Sequence, residues 1–121
     1  MTDLELLELA ASAAGLKTIC GDMLQGLWVE GRDCEWNPLQ DNDEAMWLLV
    51  TLRLSLESDA HILTDEYDGY GEYEPGVEVW LVTAGGKLLK SWELYGKDPQ
   101  AATRRAVVGC AAKIGKEIKH D

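Results

Sequence analysis

Few side chains in this sequence are of a type and spacing that could do chemistry. His61 shares strand parity with Glu57 and Asp59 and could pair with either as acid and base. No nucleophile or electrophile-binding group accompanies them, so an ordinary histidine on a polar strand face is the expectation. Asp41-Asn42-Asp43 and Asp65-Glu66-Tyr67-Asp68-Gly69 resemble pieces of calcium loops. Neither keeps the loop's full spacing or its closing glutamate, and both read as solvated acidic turns. A zinc site is not indicated: His61 and His120 are the only histidines, and Cys20, Cys34 and Cys110 are far apart with no C-x-x-C pair. The thiols read as reduced, and Cys110 falls in an apolar helical pattern as a small buried hydrophobe. Phosphate-loop, dinucleotide and hydrolase signatures are absent. The expectation is a protein that is not an enzyme and holds no cofactor or metal.

Two binding features remain. Arg104-Arg105 stands near the start of a helix, where free N–H groups and the helix dipole could help hold an anion; salt bridges to neighbouring acids are the competing use. The second is the acidic middle. Residues 33–86 carry 13 acids against one base, Arg53, whereas residues 87–121 carry a net +4, within a total of −11. Such a field disfavours direct nucleic-acid binding and attracts cationic surfaces. The candidate partner-binding set is Glu57, Asp59, Asp65, Glu66, Asp68, Glu72, Glu74, Glu78 and Glu93, with Tyr67, Tyr70, Tyr73 and Trp80 as apolar anchors. Alternatively, the tyrosines fold back on the core from a solvated loop.

These residues must be positioned by a single domain, 1–121, long enough for one core without a disulfide or metal. No run of 18 apolar residues is present, so no membrane span or secretory segment is expected, and a cytoplasmic location follows as the default. Thr2 and Glu5 have capping-box spacing, and Gly15 supplies the stop of a helix buried along Leu4, Leu7, Ala11 and Ala14. Leu27–Glu30 is a short strand. Trp36-Asn37-Pro38-Leu39 makes a turn, after which Asp41 or Asn42 caps a second helix. That helix is apolar nearly all round, with Met46, Trp47 and Val50 beside Ala45, Leu48, Leu49 and Leu52, which predicts cover on more than one side.

The alternation from Leu54 to Ile62 predicts a half-buried strand interrupted near Ser58-Asp59. Residues 65–76 read as a surface loop. Gly85-Gly86 predicts a two-residue hairpin joining strands 77–84 and 87–94. In that register Val79 faces Trp92 and Val77 faces Leu94, while Glu78 opposes Glu93 and Trp80 opposes Ser91. Asp98-Pro99 then caps a helix to about Ile118, lined by Thr103, Val107, Cys110, Ala111, Ile114 and Ile118.

Three blocks, TDLELLELAASAAG, WNPLQDNDEAMWLLVTLRL and KDPQAATRRAVVGCAAKIG, resemble a family of small phage proteins of unknown function, the phage ABA sandwich domain family. They cover a little under half the chain; the tyrosine-bearing region between them departs from the short connection of that family. The resemblance implies helices packed on an antiparallel sheet and transfers no catalytic residue. With the element pattern, the expected fold is α+β: a three- to four-stranded antiparallel sheet with N-terminal, central and C-terminal helices. The resemblance also implies a phage accessory protein in the host cytoplasm. Its acidity suggests an inhibitor of a host defence complex, of anti-CRISPR or anti-restriction type, that binds a basic protein or nucleoprotein surface in competition with nucleic acid. The alternatives are a nucleotide- or small-molecule-binding sponge using Arg104, Arg105 and an aromatic wall, or a structural accessory role. Oligomeric state is open, a homodimer included.

Overall fold

The computed structural model describes residues 2–19, 27–31, 35–63 and 73–119, with backbone alone at positions 19, 59–63, 73 and 119. Along the chain come α1 (Asp3–Ala13), β1 (Thr18–Ile19), β2 (Trp28–Val29), α2 (Asn42–Thr51), β3 (Ser55–Leu63), β4 (Tyr73–Val82), β5 (Leu88–Leu94) and α3 (Pro99–Lys119). Among the described residues the fold is α+β: three helices, an antiparallel sheet in the order β3-β4-β5, and a small antiparallel pair β1-β2.

Local chemistry sets the helix ends. Thr2 Oγ1 accepts from Glu5 N at 3.1 Å, Asp41 Oδ1 from Glu44 N at 3.1 Å, and Asp98 Oδ1 from Ala101 N at 3.1 Å. Each cap satisfies an N–H that has no partner within its helix. α1 and α2 end alike, in a Schellman motif. Leu16 N donates to Ala11 O and Leu54 N to Leu49 O, both at 2.9 Å. The left-handed residue is Gly15 (φ 76°) in α1 but Arg53 (φ 56°) in α2. A Cβ is strained there, so the second motif costs about 1 kcal/mol more than a glycine would.

α3 is the hub. Ala106, Val107, Val108, Cys110, Ala111 and Ala112 are all buried, covering much of the helix circumference. One side lies on β4 and β5, and α1 and α2 pack against the helix as well. Two glycines allow the closest approaches: a Cβ on Gly109 would meet Ser91 Oγ at 2.5 Å, and one on Gly115 would meet the Leu9 carbonyl oxygen at 2.0 Å. Because α1 comes so near, its small residues Ala10 and Ala11 are the ones buried beside Leu7, while Leu4, expected in the stripe, is exposed.

The expectation that α2 is covered on several sides is corrected too. Ala45 and Leu48 are buried and Trp47 packs against the core, but Met46 is 59 % and Val50 65 % exposed. α3, with its smaller side chains, takes the central place. Trp36 is fully buried at the isolated bridge with Leu27, and its Nε1 has no hydrogen-bond partner among the described residues.

The sheet departs from the sequence-based register. Thr83 N donates to Lys87 O (2.8 Å) and Gly86 N to Thr83 O (2.9 Å), so the loop holds three residues, Ala84-Gly85-Gly86, with Gly86 at φ 86°. A three-residue hairpin with glycine in the left-handed position replaces the expected two-residue turn. The pairing slips by one. Val77 faces Glu93, Glu78 faces Trp92, Val79 faces Ser91 and Trp80 faces Lys90. A one-residue slip sends every β5 side chain to the opposite face from the one expected. The expected opposition of Glu78 to Glu93 is therefore wrong.

β3 carries one extra residue between Glu57 and Ala60, a bulge where the interruption was expected, and then continues to pair Leu63 with Tyr73. Residues 73–76 consequently belong to β4 and not to the loop. Strand-ladder pairing of the backbone decides this, since the segment has no apolar alternation.

Candidate functional site

The helix-covered side of β4 carries Val77 and Val79, both fully buried, and that of β5 carries Leu89 and Ser91. Strand alternation puts Glu78, Trp80 and Val82 of β4 and Leu88, Lys90 and Trp92 of β5 on the opposite side. β3 adds Ser55 and Glu57, which pair with Trp80 and Glu78. No described helix covers this face. Val82, Leu88 and Trp92 are 57 %, 55 % and 48 % exposed, a concentration of large apolar groups on a strongly charged protein.

Glu57 and Glu78 stand directly opposite each other across β3 and β4. Like charges so placed repel and weaken the sheet. Glu57 has no ion pair among the described residues, and the relief for Glu78 is Lys90, whose Nζ lies 3.5 Å from Glu78 Oε1 in an exposed setting. An exposed pair of that length contributes little. A shallow cleft of about 250 Å³ runs among Glu57, Glu78, Trp80, Leu88 and Lys90.

Of the residues singled out from sequence, Glu57, Glu78 and Trp80 come together here. Glu74 is exposed and shares strand parity with Glu78. Glu93 does not join them: it lies on the helix side, lining a cavity of about 300 Å³ with Arg105, Lys113 and Lys116. Asp59 and Tyr73 have their backbones in the β3 bulge and at the start of β4, and their side chains lie outside the description, as does that of His61. Asp65, Glu66, Tyr67, Asp68, Tyr70 and Glu72 lie outside the described residues altogether. Sequence reasoning missed Trp92, Leu88 and Lys90, because the assumed two-residue turn put Trp92 inside. The available signal was the Ala84-Gly85-Gly86 triplet, which suits a three-residue loop equally well.

The two arginines border different cavities. Arg105 Nη2 meets Asp3 Oδ1 at 3.1 Å, tying α3 to α1. Arg104 Nε donates to Leu39 O at 2.9 Å and Nη1 to Asn42 Oδ1 at 2.6 Å, bridging α3 to the start of α2. Cys110 is fully buried, its Sγ 3.6 Å from Leu89 O. Burial pushes its thiol up to about 11, opposed by the nearby positive charge of Lys113. A thiol held neutral this way is a poor nucleophile. Among the described residues no three His, Cys, Asp or Glu gather as a metal would need, and no helix is long and apolar enough to cross a membrane.

Fold and surface together define an α+β arrangement with one sheet face under helix and the other covered by no described helix. No family model, curated protein or solved structure matches the chain.

Proposed function

We propose that this protein is a binding protein that docks a basic protein surface on the bare face of its sheet. The observation that carries the reading is the direct opposition of Glu57 and Glu78 between exposed apolar groups, with Lys90 the one base nearby among the described residues. A lysine or arginine from a partner would relieve the carboxylate repulsion, and Trp80 and Trp92 offer indole faces for its stem and charge. The acidic field of residues 33–86 would steer that encounter and make it salt-sensitive. The likeness of three sequence blocks to small phage proteins adds a setting: a phage accessory protein that occupies a basic channel of a host defence complex, in the host cytoplasm, and displaces nucleic acid from it. In this role the protein performs no reaction.

The test is a titration of a lysine- and arginine-rich peptide against the whole chain, followed by tryptophan fluorescence at low and high salt. Binding should weaken as salt rises, and Glu57→Lys with Glu78→Lys should weaken it at least about tenfold, the loss of one charge-assisted contact. Unchanged affinity in the folded double variant sinks the reading.

A further inference from the structure

A second surface feature is independent of the sheet face. Beside α2, α3 and the start of β3 lies a cavity of about 350 Å³, walled by Ala45, Met46, Leu49, Leu56, Tyr95 and Val107. It has room for roughly a dozen water-sized groups at about 30 Å³ each, the lower end of the range for small-molecule sites. Met46 and Leu56 are among the exposed large hydrophobics of the protein, so this apolar wall is wetted in the free protein. An apolar body seated there would remove it from water.

Arg104 lines the same cavity, and its setting is unusual for a cation. Its two hydrogen bonds go to neutral acceptors, the Leu39 carbonyl and the Asn42 side chain, and Asn42 Nδ2 is held in turn by Gln100 Oε1 at 3.0 Å. These two contacts orient the guanidinium and bring no negative charge to it. Among the described residues no carboxylate pairs with Arg104, and its Nη2 makes no hydrogen bond. A fixed cation beside an apolar wall recognises a carboxylate that carries an apolar body. The flanking helix caps limit the charge of that ligand. Asp41 and Asp98 are exposed and adjoin Asn42 and Pro99, which both line the cavity. Their negative charge is tolerable for one anionic group beside Arg104 and repels several, which disfavours polyphosphates.

We propose that this cavity binds an apolar monocarboxylate, its chain against Met46, Leu49 and Leu56 and its carboxylate on Arg104. Methyl-labelled methionine reports on it directly, because Met46 is one of only three methionines. Below micellar concentrations, octanoate should shift the Met46 methyl resonance saturably. Octan-1-ol should bind about tenfold more weakly, the loss of one charge-assisted contact, and octyltrimethylammonium weaker still. Arg104→Gln should reduce octanoate affinity to that of octan-1-ol and leave octan-1-ol unchanged. No saturable shift, equal affinity for acid and alcohol, or full octanoate affinity in folded Arg104→Gln would each overturn the proposal. The acid and alcohol comparison uses the unaltered protein, so it decides the matter even where Arg104→Gln does not fold.

Discussion

On their helix side β4 and β5 bear Val77, Val79, Leu89 and Ser91; on the other they bear Glu78, Trp80, Val82, Leu88, Lys90 and Trp92. The larger aromatic groups are on the bare side. In a protein that only needed a core, the tryptophans would sit under α3, where burial stabilises most. Here α3 comes close enough for Gly109 to contact Ser91, leaving no space for an indole at that position. The open side bears half-exposed apolar area, which stabilises less than the buried residues do, and opposed carboxylates that weaken the sheet. The contrast separates residues packed under the helices from residues left on the open face.

The strongest way to break this contrast is to disturb the covered side at its tightest point. Gly115→Ala would drive a methyl into the Leu9 carbonyl, a backbone group that cannot turn aside. A loss of about 3 kcal/mol in urea unfolding is expected. Gly109→Ala meets only the Ser91 hydroxymethyl, which can rotate, and the better helix propensity of alanine offsets about 1 kcal/mol, so its net effect should be far smaller.

Next, paired truncations sharpen the comparison. Val79→Ala, on the covered side, should cost about 2–3 kcal/mol, whereas the larger Trp92→Ala should cost under about 1 kcal/mol yet weaken peptide binding. Equal costs for the two would mean that the open face is part of the core after all.

A pH series probes the covered side without mutation. Cys110 keeps its proton to about pH 11 when folded, against 9.0 for the ordinary thiol, so between those values the unfolded chain loses a proton that the folded chain holds. The folded state therefore loses stability as pH rises through that window, by up to about 2–3 kcal/mol, and none of the effect is present below it. Cys110→Ala should flatten this part of the profile in urea midpoints. The smallest expected change lies off both faces: Arg53→Gly relieves the left-handed residue at the end of α2 and should raise stability by about 0.5–1 kcal/mol in thermal melts, with peptide binding unaltered.

The sites divide along the same physical line. Glu57, Glu78 and Trp80, which share one sheet face, could be singled out as candidates because charge and residue type are properties of the chain itself. Trp92 was not, since its side depends on whether the hairpin loop has two residues or three. Arg104 was picked out for its charge and position near a helix start, but its value lies in what holds it: a carbonyl from the Trp36–Leu39 turn and an amide from α2, contacts 65 and 62 residues away along the chain.

By itself the sequence determined what is local: the caps at Thr2 and Asp98 and a cap at Asp41 or Asn42, the glycine stop at residue 15, the break in β3, the α+β order of elements and the acidic middle. Each depends on neighbours within a few positions. Tertiary structure decided which helix became the hub, which side each strand residue took, and where β4 began. Those outcomes turn on distant approaches, such as Gly115 against Leu9 and Gly109 against Ser91, whose closeness no local pattern encodes.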